Sequence, residues 1–137
     1  MTDNGVPASI LIVDDEDLIR SLLRLTLVRV GYDVTEAETG EEGITIVREI
    51  EPDLVLLDVM MPGMDGFEVC QKIRQDPVVG DIPIIMLSAR KDQRSRRHSQ
   101  QVGANKYLTK PWVPDELLWH VGEVLKKSEP HPNLGTT

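Results

Sequence analysis

SILIVDDED, residues 9–17, runs four aliphatic residues directly into four acidic ones. An apolar run with no polar alternation predicts a strand covered on both faces, the kind found in parallel sheets. Carboxylates crowded at the end of such a strand repel one another unless a cation or a helix dipole compensates. The stretch therefore predicts a buried strand with a cation-seeking acidic cluster at its C-terminal end.

The same alternation continues outward from it. Residues 16–30 carry Ile19, Leu22, Leu23, Thr26 and Val30 at three- and four-residue steps, predicting a helix with that face buried. Gly31 suits a left-handed cap, and a short strand is expected over 32–37. A helix follows from Thr39 and Gly40 to about Ile50, with Ile44, Val47 and Ile50 as its buried positions, although Gly43 inside it costs about 1 kcal/mol relative to alanine. DLVLLD, residues 53–58, reads as a further strand, MPGMDG as a turn-rich loop, and Phe67, Cys70 and Ile73 as the inner face of a third helix. Strands are expected at 82–88 and 106–109, and a last helix at about 113–127 with Leu117, Leu118, Val121 and Leu125 inward. Five strand–helix pairs in strict alternation predict a parallel sheet with helices on both faces.

The 137 residues suit one domain, 40% hydrophobic and 28% charged, and the formal charge of -8 disfavours binding along a nucleic-acid backbone. The lone cysteine, Cys70, excludes an intramolecular disulfide framework and reads as a small buried hydrophobe. No apolar run is long enough for a membrane span and no signal peptide is evident, so a soluble, cytoplasmic protein is expected. The tail from 128 to 137 reads as a flexible terminus or linker, and residues 1–7 as an extension.

In an open parallel sheet the strand C-termini form the crevice where ligands bind. Here the first strand ends in Asp14 and Asp15, the third in Asp58 and the fourth in Ser88, with Lys110 just past the fifth. Three carboxylates in one crevice make a hard oxygen site suited to Mg2+, whereas Glu16 and Asp17 read as caps of the first helix. A carboxylate beside such a metal can attack a phosphoryl group, with a lysine neutralising the phosphoryl oxygens. Asp58, alone at its strand end, is assigned that role, with Lys110 as the fixed cation and Ser88 as a hydrogen-bond donor.

The motifs IVDDE at 12–16, LLDVMMPGMDG at 56–66, MLSAR at 86–90 and GANKYLTKP at 103–111 resemble those of the receiver domains of two-component response regulators, in order and spacing, over residues 8–127. The resemblance implies a doubly wound, flavodoxin-like (βα)5 sandwich with strand order 2-1-3-4-5. It implies that Asp58 accepts a phosphoryl group from the phosphohistidine of a sensor kinase or phosphotransfer protein. Asp15 would be a direct ligand of Mg2+, with Mn2+ as a substitute; Asp14 would hold the ion or its water, and the Met60 carbonyl would complete the set. Ser88 and Tyr107 match the family's switch pair, while a half-buried strand aromatic is the plainer reading of Tyr107. The Lys110–Pro111 bond is commonly cis in the family. The chain would be a phosphoacceptor with intrinsic transfer and autodephosphorylation chemistry, not a turnover enzyme.

The segment 90–106 departs from the pattern, having no aliphatic residue between Lys91 and Gln101, so a poorly ordered fourth helix is expected. Arg94, Arg96, Arg97 and His98 form a basic patch there, read either as a solvated face or as a dock for an acidic partner. Arg90 and Met60, each two residues past a site residue, would flank the path of an attacking water. Trp112 and Trp119 read as packing residues, and His98, His120 and His131 stand at no metal-ligand spacing. No output motif follows within these residues, so signalling is expected by protein contact at the fourth helix, fifth strand and fifth helix, or as a phosphorelay. The competing classes are a metal-dependent phosphohydrolase, whose nucleophile would sit in an early DxD motif, and a pseudo-receiver that only binds partners.

Overall fold

A computed structural model of the chain describes residues 5–128. In chain order the elements are β1 (Ser9–Val13), α1 (Asp17–Val28), β2 (Asp33–Ala37), α2 (Gly40–Ile50), β3 (Leu54–Asp58), α3 (Gly66–Arg74), β4 (Ile84–Ser88), α4 (Gln93–Gln101), β5 (Lys106–Thr109) and α5 (Pro114–Ser128). All strand pairings are parallel and the order is β2-β1-β3-β4-β5, as expected. Two apolar layers follow from the alternation of side chains along fully buried strands. One face carries Leu11, Val13, Val55, Leu57, Ile84 and Met86 against α2 and α3; the other carries Ile10, Ile12, Leu54, Leu56, Ile85 and Leu87 against α1 and α5.

Two glycines have different structural causes, one a close approach and one a positive φ. A Cβ on Gly43 would come within 2.9 Å of a Val13 methyl, so the glycine lets α2 lie close on β1. Gly31, at φ +101°, reverses the chain after α1 in the left-handed region that glycine adopts without a steric penalty. Cys70 is buried and free, its thiol pushed up to about 11 by burial.

Four expectations are corrected. The inner face of α1 is Arg20, Leu23 and Leu27; Leu22 and Val30 are exposed. Ile50 at the end of α2 is also exposed. Trp119 is not a packing residue: it is 60% exposed, with the Lys106 ammonium 5.1 Å from its ring centre and His120 edge-on at 4.9 Å. The polar segment forms a regular nine-residue helix, α4, held by polar attachment where aliphatic burial is missing. Asp92 caps it by accepting from the Ser95 amide at 2.9 Å and the Ser95 hydroxyl at 3.1 Å. Ser95 and Ser99 face inward, and His98 stacks on Phe67 with ring centres 4.0 Å apart. Ser128, the first residue of the expected tail, ends α5, and the rest of the tail, His131 included, lies outside the described residues.

Candidate functional site

The C-terminal edge of the sheet brings β1, β3, β4 and the turn after β5 together. Register does the positioning: Val13 pairs with Leu57, Asp58 with Leu87, and Ser88 with Thr109. Beyond the paired residues, the Val59 amide donates to the Leu87 carbonyl at 3.0 Å and the Lys110 amide to the Ser88 carbonyl at 2.8 Å. The Asp58 and Lys110 side chains are thus carried by backbone that is tied across the sheet. The Lys110–Pro111 peptide bond is cis.

One carboxylate oxygen from each of Asp14, Asp15 and Asp58 can be chosen so that all three lie within 4.8 Å of one another. Asp14 and Asp58 are buried and Asp15 is exposed, so the cluster is open on one side. Lys110 Nζ bridges the two buried acids, donating to Asp14 Oδ2 at 3.2 Å and to Asp58 Oδ1 at 3.1 Å. Lys110, reaching in from the far edge of the sheet, thus sets one positive charge against the acidic cluster that the SILIVDDED stretch opens.

Asp58 is 3% exposed. Burial, and then the neighbouring charge of Asp14, raise its carboxyl to about 6, against the opposing pull of Lys110 and of the Met60 amide at 3.4 Å. Lys110 stays charged: burial disfavours the ammonium, but Asp58 and Asp14 more than offset this and hold its pKa above the usual lysine value. All-oxygen donors, two of them desolvated and one open to water, fit a hard divalent ion such as Mg2+, which retains several waters.

Ser88 is fully buried at the end of β4, and its Oγ accepts from the Arg90 amide at 3.0 Å. The Tyr107 hydroxyl donates to the Arg90 carbonyl at 2.6 Å. Met60, with its side chain exposed, and Arg90 line one cleft of about 450 Å³ together with Pro62 and Phe67. Glu16 and Asp17 do not cap α1 with their side chains: Glu16 makes no such bond, and Asp17 pairs with Arg20.

Arg20 was missed from the sequence. It is buried, donates to the Asp14 carbonyl at 2.7 Å and to Glu36 at 3.1 Å, and so fixes the backbone that presents the acidic pair. Its signal is an arginine three and seven residues before the buried Leu23 and Leu27, a charged residue on the apolar stripe of a helix. The Lys106, His120 and Glu123 cluster across β5 and α5 was likewise not anticipated; there Lys106 Nζ lies 2.9 Å from His120 Nδ1 and pairs with Glu123.

Comparison with known proteins follows the same lines. The family model described as the response regulator receiver domain matches residues 10–122. A probable transcriptional regulator, ycf27, of Cyanophora paradoxa is 45% identical over 128 residues, 93% of this chain and 52% of the relative. The phosphate regulon transcriptional regulatory protein PhoB of Pseudomonas aeruginosa is 39% identical, covering 91% of this chain and 55% of its own length. The chain spans about half the length of these relatives. Among solved structures, the Vibrio cholerae chemotaxis protein CheY4 superposes with a TM-score of 0.83 at 33% identity, covering 86% of this chain and 98% of that one. The signal receiver domain of a histidine kinase from Syntrophus aciditrophicus gives 0.84 at 31% identity, covering 93% and 96%.

Proposed function

The chain belongs to the response regulator receiver family, and on that premise we propose that it takes a phosphoryl group onto Asp58 from the phosphohistidine of a sensor kinase or phosphotransfer protein. The observation that carries this reading is the pair of contacts from Lys110 Nζ to Asp58 and Asp14, a fixed cation where phosphoryl oxygens would collect charge. A carboxylate oxygen of Asp58 attacks phosphorus as the N–P bond to the donor imidazole breaks; the nitrogen leaves with the electron pair and is protonated by solvent. Asp15 and Asp58, with the Met60 carbonyl, would hold Mg2+, and Asp14 would bind the ion or its water. Bound there, the ion would supply charge neutralisation at the phosphoryl oxygens.

Ser88 then acts as hydrogen-bond donor to the phosphoryl group and must give up its bond from the Arg90 amide to reorient. Tyr107, tied to the Arg90 carbonyl, senses that movement directly. The Ser88–Arg90–Tyr107 connection supports the switch reading over that of a passive strand aromatic. No helix among the described residues is long and apolar enough to cross a membrane.

Two outputs remain in play at different scales. Protein contact through α4, β5 and α5 is the reading for this chain's own surface. The names of the curated relatives support a second reading in which the receiver controls transcription, with DNA contacted outside this domain. The -8 charge argues against the receiver itself holding nucleic acid.

The test is intact mass after incubation with acetyl phosphate, with and without Mg2+. One Mg2+-dependent phosphoryl adduct on Asp58, absent from Asp58→Asn, is expected. An adduct persisting at full stoichiometry in Asp58→Asn places the acceptor elsewhere. No adduct on a folded chain, even with a histidine kinase supplied as donor, favours the pseudo-receiver.

A further inference from the structure

Of the three acids at the site, Asp15 is the exposed one, and its carboxylate has no hydrogen-bond or ion-pair partner among the described residues. Asp58 and Asp14, by contrast, are held by Lys110 at 3.1 and 3.2 Å. The direction of the Asp15 side chain is therefore set through its backbone.

That backbone is pinned at three points. The Asp14 amide donates to the Ala37 carbonyl at 3.2 Å, one step past the last pair of β1 and β2. The Glu16 amide donates to Asp14 Oδ1 at 2.9 Å. Between them, the Asp14 carbonyl accepts from Arg20 Nη1 at 2.7 Å. Of these three bonds, only the one from Arg20 grips the peptide that links the two acids. A peptide is planar, so holding its carbonyl oxygen fixes the plane from which Asp15 departs.

Arg20 is itself locked. It lies in the first turn of α1 and is 6% exposed. Its Nε donates to Glu36 on β2 at 3.1 Å, its Nη2 pairs with Asp17, and Glu38 lies 3.8 Å from that same nitrogen. A planar guanidinium fork meets these partners and the carbonyl at once, which the point charge of a lysine does not. The same carboxylates explain how a cation can stand behind a site for a cation. Asp17, Glu36 and Glu38 offset the charge that would otherwise repel the ion.

We propose that Arg20 is a positioning residue for the divalent ion, orienting the Asp14–Asp15 peptide so that the open Asp15 carboxylate meets the two buried acids. The inference rests on the receiver reading, in which Asp15 is a ligand of Mg2+. Charge alone predicts the opposite effect, because removing a buried cation beside the site strengthens its attraction for Mg2+. Positioning predicts weaker binding, as does loss of any group that orients a metal ligand.

The experiment is a Mg2+ titration of the isotope-labelled full chain followed through its amide shifts by NMR, so that affinity and fold are read from the same spectra. Arg20→Met keeps the length and apolar body of the side chain and removes its donors. It is expected to weaken Mg2+ binding on the order of tenfold while the amide spectrum stays dispersed. Arg20→Lys, which retains the charge, is expected to recover only part of that loss. Arg24→Gln deletes the same charge one turn further on, from a side chain that reaches Glu36 and the Val34 carbonyl but not Asp14, and is expected to bind Mg2+ like the parent. At saturating Mg2+, acetyl phosphate is expected to label Asp58 in Arg20→Met to the stoichiometry of the parent. Unchanged or tighter Mg2+ binding in a folded Arg20→Met chain overturns the proposal; should that variant not fold, parent-like binding by Arg20→Lys does so. Equal weakening by Arg24→Gln overturns it as well. A parent chain that binds no Mg2+ removes the proposal and the receiver's metal site together. Weaker binding in Arg20→Met beside a parent that takes no phosphoryl group would instead count against the acceptor reading and leave the role of Arg20 standing.

Discussion

Asp58 sits where its charge is least comfortable, and that discomfort is measurable. In the free carboxylate state, burial and Asp14 lift its pKa from an ordinary 3.8 to about 6. A carboxyl whose folded pKa exceeds its unfolded one binds more protons when folded. Stability is therefore favoured at low pH, falls as pH rises from about 4 through about 6, and the full cost is present above that. Two units correspond to about 3 kcal/mol at most, and loss of the Lys110 contact returns part of it. Asp58→Asn is expected to be more stable than the parent by about 1–2 kcal/mol at pH 7.5 in chelator, with the difference disappearing near pH 4. Urea unfolding at the two pH values checks this; a variant that is less stable at pH 7.5, or a gap that does not change with pH, would refute it. The acid cluster, Ser88 and Lys110 were legible in the sequence because a parallel sheet sends strand C-termini to one edge, and strand ends can be read from apolar runs. Arg20 was not, because a buried arginine depends on partners that only tertiary packing supplies: the Asp14 carbonyl, Asp17 and Glu36.

At the level of elements, all five strands were readable to within two residues: β1, β3 and β4 are buried on both faces and read as near-continuous apolar runs, while the edge strands β2 and β5 are short, partly polar and stand out by their place in the alternation. Helices facing water on one side were less legible. In α1, Leu18, Leu22, Leu25 and Val28 are exposed, so apolar residues mark two stripes and periodicity alone cannot choose between them. The polar helix α4 was expected to be poorly ordered and is instead regular, because apolar periodicity does not register a cap and inward serines. That attachment yields a direct expectation. Asp92 accepts from both the amide and the hydroxyl of Ser95, so Asp92→Ala removes the N-cap and leaves the inward hydroxyl without its partner. A loss of about 1 kcal/mol in thermal or urea unfolding is expected, with Asp92→Asn or Asp92→Ser retaining most of the stability. If the alanine variant is as stable as the parent, the cap is not what holds α4.

Across the whole molecule, apolar packing is unevenly distributed. Both layers of core lean on the sheet through α1, α2, α3 and α5, each contributing buried aliphatic side chains, whereas α4 contributes two serines and is followed by Val102. Free energies of local opening scale with the apolar area an element must expose, so the helix with least of it should open first. Opening α4 leaves the strand pairings between β1, β3 and β4 closed, because none of those hydrogen bonds passes through it. The acidic site, carried on strand ends, would then stay rigid while the neighbouring output face samples open states. Native-state hydrogen exchange should therefore find α4 amides protected less than those of α3 and α5 by on the order of tenfold or more, with β1 and β3 slowest. Protection of α4 equal to that of α3 would mean that a capped, polar attachment closes a helix as firmly as buried leucine and isoleucine do. Lower protection would instead separate the molecule into a fixed chemical edge and an adaptable one. That division would let α4 open without disturbing the contacts, at 3.2 Å and 3.1 Å, that hold Lys110 between Asp14 and Asp58.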